Sequence, residues 1–162
     1  MRPLDDARLR ACLVNASISE RKSLVLPDDL AGRDWSSLDF LGWRDRRAPL
    51  VGCVVADIDG EPVGVLLREA ETRTRSRPQC SWCSDVELPN DVVLFTARRA
   101  GAAGRRGDGI GTLVCARFEC SANVRRRPAR SFAGFDPELA RTERITALRA
   151  HVDAFVREVA SR

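Results

Sequence analysis

Cys80-Ser81-Trp82-Cys83 and, about thirty residues further on, Cys115-Ala116-Arg117-Phe118-Glu119-Cys120 decide how this chain folds. Each stretch places two thiols within one tight turn. A structural Zn²⁺ takes four thiolates at the corners of a tetrahedron, about 2.3 Å from the metal, and each turn of this kind supplies two corners. Two such turns, joined through intervening strands, close the site. The alternatives are four incidental core cysteines or two disulfides, but scattered cysteines rarely fall as two close pairs. A redox C-x-x-C follows the start of a βαβ unit and would leave the second pair unexplained. With Cys80, Cys83, Cys115 and Cys120 all used as ligands, no coordination position stays open for water, so the expected cofactor is one structural Zn²⁺. Four thiolates also suit iron.

The chain has 162 residues, 44% hydrophobic and 31% charged, which is ordinary for a globular protein with a real core. No apolar run approaches the roughly 20 residues that span a bilayer. The first ten residues carry acids and lack an apolar segment, so they do not read as a signal peptide. A reducing, cytoplasmic setting follows, in which cysteine pairs serve as metal ligands more often than as disulfides. Cys12 and Cys53 stand alone in apolar company and read as small buried hydrophobes. Net charge is +4 with a pI of about 9.0, a mild pointer to an acidic partner or nucleic acid. Lys22 is the only lysine, so arginine abundance carries little weight and only its placement counts.

Along the chain, Leu4 to Val14 is predicted helical, with Asp5 and Asp6 suited to the first turn. A short second helix follows with Ser19 as its N-cap, stopped by Pro27. Residues 28–49 are expected to form a mixed loop whose Trp35, Phe40, Leu41 and Trp43 cap the core. The runs 50–56 and 62–67 read as strands joined through Asp59-Gly60, a strong hairpin signal. Asp57 and Asp59 invite an acid/base reading, but turn geometry accounts for Asp-Gly on its own. Residues 71–79 read as a polar connector into the first cysteine pair. Val92 to Thr96 is a strand, 98–109 a basic Gly-rich loop or hairpin tip, and Ile110 to Val114 the returning strand that delivers Cys115. Cys120 starts a short helix ended by Pro128, and residues 129–135 link onward. Asp136-Pro137 is an N-cap followed by Pro at the first helical position. Ile145, Leu148, Val152, Phe155, Val156 and Val159 mark one apolar stripe of the last helix. His151 is expected at the surface.

Knuckle, hairpin, second cysteine pair and short helix, in that order, are the plan of a treble-clef zinc finger. The expected fold is one α+β domain over 1–162: an antiparallel sheet with a treble-clef four-cysteine zinc finger and a packed C-terminal helix. Residues 1–70 supply a helix and hairpin, 71–128 the finger, and 129–162 the last helix. Zinc here replaces core volume, and its binding energy is folding energy. Catalysis finds no support: there is no tyrosine, no nucleophile elbow and no P-loop ending after the Gly-rich 101–109 stretch. Binding is the better reading. Arg98, Arg99, Arg105 and Arg106 sit in the loop between the strands, and Arg125, Arg126 and Arg127 follow the second cysteine pair. Guanidinium forks suit carboxylates and phosphates alike.

Cys80-x-x-Cys83, the Val92–Ala97 strand, Gly111-Thr-Leu-Val-Cys115 and Phe118-Glu-Cys120-Ser-Ala-Asn-Val124-Arg125 together resemble the elongation-factor-G-binding family of fusidic-acid-resistance type. The segment Leu38–Arg44 and the hairpin at 50–67 also look like the N-terminal part of its stand-alone members from high-GC bacteria. The resemblance implies a treble-clef domain with Cys80, Cys83, Cys115 and Cys120 as ligands. It implies a non-enzymatic protein that binds elongation factor G and helps free it from the ribosome, with no small-molecule substrate and no membrane. The expected contact surface is the hairpin tip and adjoining strand, at Arg105, Arg106 and Ile110. Resistance members carry a helical bundle ahead of the finger, for which the region before residue 50 is too short. The rival reading is an RNA- or ribosome-binding zinc module.

Overall fold

Residues 1–71, 78–85, 90–126 and 134–161 are described by the computed structural model. Most of the 71–79 connector, Arg127, Pro128 and most of the 129–135 linker lie outside them. Five antiparallel strands form one meander in the order β1-β2-β3-β4-β5: β1 Leu41–Arg44, β2 Val51–Ile58, β3 Glu61–Glu69, β4 Val92–Arg98 and β5 Gly109–Cys115. The β2–β3 hairpin closes at Ile58↔Glu61, with Asp59 and Gly60 both at positive φ (54° and 85°). That is the two-residue turn whose twist matches the strands it joins.

Five α-helices, α1 Asp6–Ala11, α2 Ile18–Ser23, α3 Gly101–Arg105, α4 Cys120–Arg125 and α5 Pro137–Ala160, and two 3-10 turns, Leu30–Gly32 and Trp35–Ser37, complete the described residues. α1 is shorter than the predicted 4–14. Its continuation leaves the helix to pair with β3, where Gly64 N–H donates to Cys12 O and Val14 N–H to Gly64 O, each at 2.9 Å. β3 and β4 are in register only at Arg68↔Thr96 and Glu69↔Phe95, and residues 12–15 occupy the edge of β3 that β4 leaves free. Asn15 completes the insertion: its carboxamide accepts from Leu66 N and donates to Leu66 O and Arg98 O. A side chain thus stands in for a strand. The N-cap of α2 is Ser17, not Ser19, and it forms a reciprocal capping box with Glu20. The predicted 28–49 loop contains β1, and the predicted 98–109 loop contains α3.

The sheet is covered on both faces. Val54, Ala56, Val65, Leu67, Phe95, Ala97 and Val114 lie in a core shared with Leu148, Val152, Phe155, Val156 and Val159 of α5. On the other face Leu41, Trp43, Cys53 and Val55 pack with Leu4, Leu9, Leu13, Leu24, Leu26 and Trp35 of the N-terminal segments. The aromatic residues expected to cap the core are therefore buried. α5 begins as its sequence predicts, with the Asp136 carboxylate accepting from Glu138 N and Leu139 N ahead of Pro137. Cys53 is fully buried as expected, whereas Cys12 is half-buried with Sγ against Leu9 O. Among the described residues, no helix is long and apolar enough to cross a membrane.

Candidate metal centre

Cys80 and Cys83 stand on a turn docked against β5, where Ser81 N–H donates to Leu113 O at 2.8 Å and Ser84 N–H closes the turn on Cys80 O at 3.0 Å. Cys115 is the last residue of β5 and Cys120 the first of α4. Between them the chain reverses at Phe118, whose N–H bonds Cys115 O and whose φ is 61°. The reversal is fixed by packing: Phe118 stacks on Phe95 (centroids 5.2 Å apart) and fills a hollow made by two strand glycines. A Cβ on Gly42 would lie 2.4 Å from Phe118 Cβ, and one on Gly52 2.8 Å from Phe118 Cζ. Arg44 adds a second strut, with its Nε on Ala116 O and its guanidinium 4.9 Å from the Phe95 ring centroid.

These contacts bring the four sulfurs together. All four cysteines are buried and their ligand atoms lie within 4.8 Å of one another. Cys80 Sγ is 3.7 Å from Cys120 Sγ, and Cys83 Sγ 3.7 Å from Cys115 Sγ. A tetrahedron with metal–sulfur bonds of about 2.3 Å has edges of about 3.8 Å, so these separations fit zinc. The thiols are too close to ionise independently. Contacts with Cys115 first, then Cys120, hold Cys83 below the ordinary thiol range, while Cys115, Cys80, Cys83 and burial push Cys120 above it. A divalent cation lets all four act as thiolates, since it supplies the compensating charge.

The surroundings support the site. Asn123 is 1% exposed and sits one turn after Cys120 on α4. Its Nδ2 donates to Cys115 Sγ at 3.4 Å and faces Cys83 Sγ at 3.8 Å, an outer-shell contact that stabilises sulfur charge. Its i+3 spacing from Cys120 was the signal in the sequence. Trp82 lies between Phe40 and Phe155, and His151 of α5 meets Trp82 O through Nδ1 at 2.9 Å, although the residue is exposed overall. α4 is anchored by Asp39, whose side chain is fully buried. It binds Arg125 and Arg149, and Ser121 Oγ accepts from Asp39 N–H. Sequence spacing gave no sign of Asp39.

The arginines expected to contact a partner divide into two groups. Arg98, Arg99, Arg105 and Arg106 gather at the far end of the β4–β5 hairpin, about 20 Å from the cysteines along six residues of strand. Arg98 pairs with Glu20 yet stays 58% exposed at its side chain, and Arg106 is 3.8 Å from Asp108. Arg105 is exposed. Arg99 binds Glu158 of α5 and Ser161, which caps its C-terminal end. By the metal centre, Arg126 is exposed, but Arg125 is committed to Asp39, so its guanidinium is not turned outward as expected. Ile110 is half-buried. Asp57 and Asp59, weighed for chemistry, pair with Arg2 and Arg157.

A cross-braced sheet with two cysteine pairs, one on a knuckle and one between strand and helix, defines a treble-clef metal-binding protein. The FBP C-terminal treble-clef zinc-finger model matches residues 8–159. The chain belongs to that family, and its four cysteines are positioned to bind one metal ion. Among solved structures, the fold is similar to that of the fusidic acid resistance protein FusC, with a TM-score of 0.57 and 18% identity. That match covers 76% of this chain and 53% of FusC, so the chain spans about half of that protein. At this identity the likeness concerns the fold. No curated protein matches the chain.

Proposed function

We propose that this protein binds elongation factor G without catalysing a reaction, and modulates the factor's interaction with the ribosome in the cytoplasm. The observation that carries the reading is the β4–β5 hairpin. Its base is pinned by the cysteine cluster and the Phe118 loop, and its far end presents Arg98, Arg105 and Arg106 to solvent. A rigid hairpin with a basic end suits docking on an acidic protein surface, because the scaffold fixes the charges before the partner arrives. Family membership and the likeness to FusC support the choice of partner. Release of the factor from a ribosome stalled by fusidic acid belongs to the same proposal.

Calorimetric titration of the zinc-loaded protein into elongation factor G, at two salt concentrations, tests it. Saturable binding that survives moderate salt and is lost in Cys115→Ser is expected. Absence of binding by the folded, zinc-loaded protein overturns the reading. Affinity that instead goes to ribosomal RNA, falling steeply with salt as counterion release requires, replaces it with an RNA-binding module.

A further inference from the structure

Among the described residues only Ser81 bonds to the outer edge of β5, and the hydrogen-bonding parity of the strand shows which of its groups face outward. Arg99 N–H donates to Asp108 O and Ala116 N–H to Asp91 O, one at each end of the β4–β5 ladder. Antiparallel pairs alternate between bonded and non-bonded, so 97/110, 95/112 and 93/114 are bonded to each other. Gly109, Gly111 and Leu113 must then turn their N–H and C=O groups away from β4. The Ser81 N–H bond to Leu113 O confirms this side and occupies one end of it. Gly109 and Gly111 are exposed, and no donor or acceptor among the described residues meets their outward groups.

Folded proteins blunt such edges with lysine, proline, bulges or a covering loop. The stretch Gly109-Ile110-Gly111-Thr112-Leu113 has no charge, no proline and no side chain at either open position. An approaching strand therefore meets bare backbone. Its side chains on one face would lie beside Ile110 and Thr112, and on the other beside the half-buried cross-strand pair Leu94↔Leu113. Charge selects the occupant: Arg98 is 58% exposed and Arg106 70% exposed at the side chain, Arg105 is exposed, and all three stand at the Gly109 end of the edge.

We infer that β5 takes up an extended, acidic segment of its protein partner as a sixth strand, through the backbone of Gly109 and Gly111. This rests on the reading that the partner is elongation factor G. Main-chain bonds supply affinity in such strand addition, and flanking side chains supply specificity.

The test compares wild type with Gly111→Pro, both zinc-loaded. Proline at 111 removes an N–H that points to solvent, leaves the bonds to β4 intact and obstructs the edge. Titration into elongation factor G should show affinity weaker by about tenfold or more in the variant, the order expected from losing one or two main-chain bonds. In wild type, amide exchange at Gly109 and Gly111 should slow by about tenfold or more on adding the factor, since only a strand partner protects both. If wild type binds but both amides exchange unchanged, strand addition is overturned while factor binding stands, even where the variant fails to fold. If wild type does not bind, both fall. Protection that grows with the protein's own concentration assigns the edge to a second copy and also overturns the proposal.

Discussion

The hollow beneath Phe118 permits a prediction about how the sheet and the metal centre are coupled. Gly52→Ala would place a methyl 2.8 Å from Phe118 Cζ and 3.1 Å from Phe95 Cε1, both on ring atoms. Overpacking of this kind costs about 1–3 kcal/mol. Phe118 is 6% exposed, and Phe118→Ala should cost about 3–5 kcal/mol as a large-to-small core change. In the double variant the new methyl enters space the ring has left. The pair should therefore be less destabilised than the sum by about 1–3 kcal/mol, as for residues in direct contact. Gly42→Ala should behave differently. Its methyl would meet Phe118 Cβ at 2.4 Å, an atom alanine keeps, so Phe118→Ala leaves the clash and only Phe118→Gly removes it. Urea unfolding followed through tryptophan fluorescence gives the stabilities, and chelator competition gives zinc retention. Every destabilised single variant should also release zinc faster, because Phe118 lies between two of the cysteines. Additivity within about 0.5 kcal/mol for Gly52→Ala with Phe118→Ala, or rescue of Gly42→Ala by Phe118→Ala, would refute the packing argument.

Asp39→Asn should lower stability by about 2–4 kcal/mol, because it removes the buried anion shared by Arg125 and Arg149; thermal unfolding matching wild type would show that the pair does not anchor α4. Burial, the largest cause, pushes the Cys12 thiol from 9.0 up to about 11, so the neutral thiol favours the folded state, with a contribution complete below pH 9 and lost as pH rises towards 11. The stability gap between wild type and Cys12→Ala in urea should shrink over that range, and a constant gap would contradict it.

Features carried by adjacent residues were legible in the sequence. The cysteine spacings, the Asp59-Gly60 turn and the Asp136-Pro137 helix start each encode their geometry within a few positions. β1 was missed because Gly42 is a poor strand signal whose presence makes sense only once Phe118 is known to lie over it. α3 was missed because Gly101-Ala-Ala-Gly-Arg105 has weak helix propensity, and its entry is set by Ala100 N–H bonding to Val159 O, a contact from the distant last helix. The inward turn of Arg125 depends on Asp39, separated from it by 86 residues. Local pattern thus revealed the metal centre and placed Asn123 one turn from a ligand, while the Asp39 network that braces α4 was not readable from spacing.

The Asn15 insertion also orders events during synthesis. Its three bonds reach Leu66 and Arg98, 51 and 83 residues ahead. Residues 12–15 therefore complete their bonding only after β4 has left the ribosome. Leu9 and Leu13, buried in the finished protein, meet the apolar partners of their own cluster earlier, since these lie between Met1 and Leu66. A nascent chain stopped before Arg98 should therefore bury this apolar stretch yet lack the Asn15 bond that ties it to β4, and a protease should cut residues 12–17 faster than in the full chain.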